Sequence, residues 1–348
     1  MPSLNWVAQE DLLTAAALTV RAQAISPNDR GQLFWDAFMP RRNVDSVKVN
    51  EISTIDFRPA ADRREWNTRG RNIPLKTPNL AEMEMVPIEA FFKIDEREVQ
   101  TLTERTLGNE SLFRQLIGAS VPARVDSLVG ADYRRIELDV MSAWALGVMT
   151  VKNPSDGSTY SVDYNFDSAR YQTASPAWTN ITAYANFIAW CEDAIDACGP
   201  IAGVHMRLST FKAIQASAPQ GINAIQLTRA QVEAQVAADL GQSFRFYINE
   251  NSLDVFNDGG TAVTRTKIWP ANTMAIVPAG GAVGFTAFAP VARSFDLARS
   301  TPNAGIDIRG VSVFPEISGN GRELTYEAQV NAMPIPDENK LFIIDAGI

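Results

Sequence analysis

One histidine, two cysteines and scattered carboxylates are what this 348-residue chain offers for catalysis. His205 sits between Val204 and Met206 in a strand-like run. A Ser–His–Asp relay needs an exposed serine on a tight strand-to-helix elbow, and no G-x-S-x-G sequence supplies one. A structural histidine is the plainer reading. Zinc would have to be assembled from this imidazole with Cys191 and Cys198. Those cysteines lie seven residues apart in a helical pattern, which places their Cα atoms about 10 Å apart, too far to bridge. They read as free thiols, in keeping with a reducing compartment. Neither H-E-x-x-H, nor C-x-x-C, nor an EF-hand loop occurs. Gly319-Asn320-Gly321 lacks the third glycine of a dinucleotide loop, and Gly280-Gly281-Ala282-Val283-Gly284 reads as a turn between buried strands. Glu192/Asp193 and Glu250/Asp254 pair carboxylates as glycoside hydrolysis requires, yet any acidic chain holds such pairs. The inventory predicts no enzyme, no cofactor and no metal.

Charge is more informative. The chain is 46% hydrophobic and 20% charged, ordinary for a globular protein with room for several domains. Its net charge of −9 makes it a poor general binder of nucleic acid. Basic residues concentrate in one place. Between residues 58 and 76 stand Arg58, Arg63, Arg64, Arg69, Arg71 and Lys76 against Asp62 and Glu65, a local +4 that leaves −13 for the remainder. Trp66 is the one aromatic there. This segment separates two strand-like runs, 46–58 and 80–95, and is too long for a tight hairpin turn. Long loops in compact domains are uncommon unless they do something. A basic projecting loop on an acidic body predicts self-association by charge complementarity.

The remaining elements are those that would carry such a loop. Residues 1–45 read as an arm with a short helix over 11–23, a turn at Ser26-Pro27-Asn28-Asp29, and the aromatics Phe34, Trp35 and Phe38. Three such rings must bury against the body or another chain. Pro87 places the 80–95 strand at an edge or a bulge. A short helix spans 96–105. Val121–Val148 repeats apolar residues at Val121, Val125, Leu128, Val129, Ile136, Val140 and Trp144, the spacing of one helix face. Pro122 suits its first turn and Gly147 its stop. Arg134, Arg135 and Asp139 are expected on its outward face, and its apolar stripe against a sheet made by 80–95, 148–164 and 323–345. Strands at 148–152 and 159–164 flank the turn Asn153-Pro154-Ser155-Asp156-Gly157-Ser158.

From 168 onward helices and strands alternate: a helix at 182–198, a strand at 204–208, a helix capped by Ser209, and a capping box Thr228-Arg229-Ala230-Gln231 before 232–240. Strands follow at 244–249 and 262–268, with Asn257-Asp258-Gly259-Gly260 as a turn. Residues 268–292 carry no charge, long enough for a membrane span. Pro270, Pro278 and Pro290 break such a helix, so two short buried strands, 273–277 and 285–288, are expected. The apolar end, 323–348, ties back to the first half. The fold class is α+β.

This order of arm, long basic hairpin loop, long helix, α/β domain and returning strand resembles the major capsid protein of tailed bacteriophages, with its Hong Kong 97-type fold. The lambda-type major head proteins are the nearest likeness. It is carried by Ser53–Glu89, especially Arg58-Pro59-Ala60 and Gly70-Arg71-Asn72-Ile73-Pro74, by the helix that follows, by Lys267-Ile268-Trp269-Pro270-Ala271-Asn272-Thr273-Met274 running into a glycine-rich strand pair, and by Gln329–Met333-Pro334-Ile335-Pro336-Asp337. The resemblance implies an arm (1–45), an extended loop (46–95), a peripheral domain on a spine helix (96–165, helix 121–148), an axial domain (166–315) and a C-terminal return (316–348). It implies pentamers and hexamers of an icosahedral head enclosing dsDNA, without sequence-specific binding and without a membrane. The loop residues named above would contact neighbouring subunits, and Phe34, Trp35 and Phe38 would be the arm's contacts. A separate scaffolding protein, a portal and a decoration protein are the implied partners, and the virion capsid the location. A cellular nanocompartment shell of the same fold is the alternative, an α/β enzyme the more distant one.

Overall fold

A computed structural model describes residues 13–26, 33–53, 79–152, 159–179, 181–219, 227–256, 263–317 and 323–348. The arm supplies α1 (Ala15–Ala24), capped by Thr14, then α2 (Trp35–Phe38) and β1 (Arg41–Asn43). β2 (Lys48–Ser53) and β3 (Asn79–Glu84) form an antiparallel ribbon at the base of the basic loop. β4 (Pro87–Ile94) and α3 (Glu96–Arg105) lead into the spine helix α4, Glu110–Leu146. The expected single strand over 80–95 is thus two: its first half pairs with β2, and its second half starts afresh at Pro87, where no N–H is needed.

The spine helix has 37 residues, which is about 55 Å at ~1.5 Å each. It begins eleven residues before the expected start at Val121. Asn109 caps it, accepting from the N–H groups of Ser111 (3.0 Å) and Leu112 (3.3 Å). Pro122 is therefore an interior residue, not a first-turn one. An interior proline costs a helix about 3 kcal/mol. Phe113 and Ile117, both fully buried, extend the apolar stripe one turn and more upstream and offset that loss. Gly147 closes the helix at φ 67°, the left-handed cap that suits glycine.

After α4 come a two-stranded hairpin of β5 (Val148–Lys152) and β6 (Thr159–Asp163), then β7 (Tyr171–Thr173), α5 (Ala183–Cys198), β8 (Ile201–Met206), α6 (Leu208–Ser217), α7 (Arg229–Leu240) and β9 (Arg245–Ile248). A second ribbon joins β10 (Ser252–Phe256) to β11 (Val263–Lys267). β12 (Thr273–Pro278), β13 (Gly284–Ala289), α8 (Ala292–Ser300), β14 (Ser312–Ile317), β15 (Leu324–Pro336) and β16 (Ile343–Asp345) complete the order. Thr228 and Gln231 make the expected capping box on α7. Ser209 does not cap α6. It lies inside that helix, whose Leu208 N–H is met instead by the Glu250 carboxylate at 2.8 Å. The turns at 153–158 and 257–260 and Gly319-Asn320-Gly321 lie outside the described residues.

Two sheets organise these elements. In the first, the long strand β15 lies between β4 and β14 along its first half and pairs with β13 along its second, and β1 adds in parallel to β13. Start, middle and end of the chain thus meet in one sheet, and α4 packs on β15 and β4. The second sheet runs β7-β16-β12-β8-β9, with α5, α6 and α7 completing its core. The hairpin β5–β6 belongs to neither sheet, so 148–164 does not join the surface under the helix as expected. β12 and β13, expected as a strand pair, sit in different sheets. Along β12 the side chains alternate between cores. Ala275 and Val277 pack into the cluster around α4, and Met274 and Ile276 into that of the second sheet. A strand buried on both faces carries no polar side, which is why this stretch lacks charge.

Candidate functional site

The arm meets the body where α2 abuts the spine helix. Phe34 leads into α2 without a side-chain cap of its own. Glu137, in the middle of α4, supplies one. Its carboxylate accepts the Phe34 N–H at 3.2 and 3.0 Å and the Trp35 N–H at 2.7 Å. Glu137 is fully buried. Desolvation pushes its pKa up to about 7, against the pull of those two N–H groups.

The three arm aromatics pack on this chain's own body. The Trp35 ring lies 6.3 Å from Tyr133 and 6.0 Å from Phe288. Phe38 lies 4.9 Å from Trp144, 5.3 Å from His205 and 5.4 Å from Tyr247. Half-buried Phe34 stacks 6.3 Å from Phe38 and meets the His205 edge at 6.0 Å. The Val283 N–H donates to Phe38 O, and Thr286 Oγ1 donates to Met39 O. Pairing of β1 with β13 then continues the attachment.

His205 is the centre of an aromatic box, 4.2 Å from Trp269 and 4.9 Å from Trp144. It is wholly buried, and neither ring nitrogen has a hydrogen-bond partner among the described residues. Desolvation lowers its pKa to about 3, so it stays neutral and fills space. Cys191 is buried with its thiol pushed up, and half-buried Cys198 receives Arg170 Nη1 at 3.1 Å; both are free. Glu250 is taken up by Lys267 Nζ at 2.8 Å, which draws its pKa down. Among the described residues no group of three or more His, Cys, Asp or Glu could hold a metal, and no helix is long and apolar enough to cross a membrane.

The charged positions of α4 differ from expectation. Asp139 is buried with Arg135 at 2.9 Å, and burial raises its pKa to about 6. Asp132 is buried with both carboxylate oxygens unpartnered among the described residues, and its pKa is raised well above the usual range. Arg134 alone of the expected outward set is exposed. The reason is that sheet and arm cover α4 from two sides. A signal was available: Asp132 continues the stripe Val125, Val129, Ile136 at helical spacing, and Glu137 falls between Tyr133 and Val140 in the same way.

Arg58, Arg63, Arg64, Trp66, Arg69, Arg71 and Lys76 lie outside the described residues, so only the ribbon that carries them is placed. The described surface exposes several large apolar side chains, most strongly Leu107 (95%), Ile181 (89%) and Phe91 (67%), with Leu112 and Leu116 one turn apart on α4. A cleft of about 500 Å³ runs between β7 and α5, lined among others by Gln172, Trp178, Asn186, Trp190 and Asp193.

The fold is similar to that of an E. coli CFT073 prophage protein described as its capsid protein (TM-score 0.54, 12% identity, 94% of this chain and 96% of that one). It is also similar to a phage-related protein from Bordetella bronchiseptica RB50 (TM-score 0.50, 9% identity, 95% and 96%). No curated protein matches the chain. One family model spans residues 14–344, from the arm helix through the strand that closes the second sheet. A chain whose arm, spine helix and both sheets all fall inside that match belongs to the family of phage major capsid protein E, and is a structural protein of the virion capsid.

Proposed function

We propose that the chain is the repeating tile of an icosahedral phage head, forming homo-pentamers and homo-hexamers that enclose dsDNA without reading its sequence, and that it has no enzymatic activity. The family match over residues 14–344 carries this reading. The charge distribution supports it, because an acidic body does not adhere to the polyanion it surrounds. In this reading residues 1–45 are the arm, 46–95 the extended loop, 96–165 the peripheral domain, 166–315 the axial domain and 316–348 the C-terminal return. Arg58, Arg63, Arg64, Trp66, Arg69, Arg71 and Lys76 contact the neighbouring subunit. A separate scaffolding protein, a portal and a decoration protein are its partners.

Size-exclusion chromatography followed by negative-stain microscopy tests the assembly. Closed particles are expected, and a monodisperse monomer with a ligand-filled cleft would refute the reading. Particles holding a cargo enzyme instead of a genome would move it to a nanocompartment shell. Reversal of Arg63, Arg64, Arg69 and Arg71 to Glu should leave the subunit folded and weaken assembly. Each exposed pair contributes only about 0.2–1 kcal/mol, but the contacts repeat around the shell. Normal particles from this variant at low and moderate salt would remove the charge role.

A further inference from the structure

We propose that Glu137 is a proton-operated latch on the N-terminal segment: its buried carboxylate holds the backbone of Phe34 and Trp35, and gaining or losing a proton tightens or loosens residues 33–43 on the spine helix. The proposal concerns contacts within one subunit and is independent of how subunits assemble.

The contact joins positions 102 and 103 residues apart, through backbone donors of the arm and a side chain of α4. Among the described residues it is the only side-chain cap on α2, and Glu137 itself is fully buried. A buried carboxylate is ordinarily matched by a cation, and among the described residues none pairs with Glu137. Among the described residues, the titratable and charged groups on the surrounding elements are committed elsewhere or remote in effect. On α4, the Tyr133 hydroxyl donates to Ile25 O at 3.3 Å. Asp36 on α2 and Arg41 on β1 act on Tyr133, and Arg41 pairs with Asp307 at 2.5 Å. On β8, neutral His205 faces Phe34 and Phe38, and on β9 Tyr247 faces Phe38. Among the described residues, the Phe34 and Trp35 N–H groups are what favours the ionised form of Glu137, and desolvation outweighs them.

The sign follows from comparing docked and released states. With the arm released, water reaches the carboxyl and its pKa returns to the ordinary 4.5; docked, it stands at about 7. The docked state therefore binds the proton more tightly, so acid favours docking and alkali loosens it. Between pH 5 and pH 8 these two values correspond to a fall of about seventyfold in the docking equilibrium. Release would also bare the edge of β13 at Thr286–Phe288, which β1 now covers.

Hydrogen exchange of the purified full chain tests this, followed on peptides spanning 33–43 from pH 5 to pH 9 and corrected for intrinsic exchange rates. The wild type should lose protection there by about seventyfold between pH 5 and pH 8. Glu137→Gln keeps the shape, removes the titration and should show a flat profile. Asp139→Asn, which alters a buried carboxylate on the same helix away from the arm, should keep the wild-type response. Equal wild-type protection at pH 5 and pH 8, or a Glu137→Gln profile that tracks the wild type, would overturn the latch. Should Glu137→Gln fail to fold, the wild-type and Asp139→Asn profiles decide between the outcomes by themselves.

Discussion

Trp35 offers the sharpest test of how the arm is built into the subunit. Its indole is 1% exposed and packed between Tyr133 of the spine helix and Phe288 of β13, in the same cluster as Trp144. An aromatic side chain of this kind removes roughly 150–250 Å² from water. At ~25 cal/mol per Å² that is roughly 4–6 kcal/mol, and measured large-to-small changes of this type cost about 3–5 kcal/mol. Trp35→Ala should therefore destabilise the subunit by about 3–5 kcal/mol, a large part of a typical total of roughly 5–15 kcal/mol. The effect should be global because the ring contacts both the helix and the first sheet. The indole N–H has no partner among the described residues. Trp35→Phe thus deletes an unmet donor along with part of the ring, and should cost less than about 1.5 kcal/mol. Urea denaturation of unassembled subunits measures both, read as a shift in midpoint at constant slope. A midpoint loss below about 1 kcal/mol for Trp35→Ala, or equal losses for both variants, would refute the placement of the arm in the core.

Two further outcomes follow from the buried groups and the close strands. Glu137 and Asp139 hold folded pKa values of about 7 and about 6, above the 4.5 and 3.8 of solvated groups, and Asp132 is raised as well. Raised carboxyls bind more protons folded than unfolded, so their stabilisation is present near pH 4 and is lost as pH rises through 6 and 7. Denaturation midpoints should fall from pH 5 to pH 8, by roughly 2.5 kcal/mol for Glu137 and roughly 1.4 kcal/mol for Asp139 at ~1.36 kcal/mol per unit; rising or flat stability over that range would contradict their burial. Gly203 lies where an added Cβ would stand 1.9 Å from the Arg245 carbonyl oxygen, a backbone atom of the neighbouring parallel strand. Gly203→Ala should cost about 1–3 kcal/mol or more by spreading β8 from β9, and a thermal midpoint within a degree of wild type would show that the strands are not so close.

Much of the local structure was legible in the sequence. Helix α5, the capping box on α7 and the strands β5, β6 and β12 follow from near-neighbour patterns, since capping and periodicity act over one turn or one pleat. The need to bury Phe34, Trp35 and Phe38 was also readable, because exposed aromatic rings are costly in water. Their destination was not: Trp144, His205 and Trp269, which complete that box, come from elements far apart in the chain. Tertiary structure alone set the partners of β12 and β13, which look like a hairpin locally and lie in different sheets. It also turned Asp132, Glu137 and Asp139 inward, because a helix covered on two sides has a wider buried face than one apolar stripe implies. The absence of catalytic motifs and the charge contrast between loop and body, +4 against −13, are properties of the sequence itself. The cap that joins arm to spine exists only once the chain is folded, since its donors and acceptor lie more than a hundred residues apart and meet through packing.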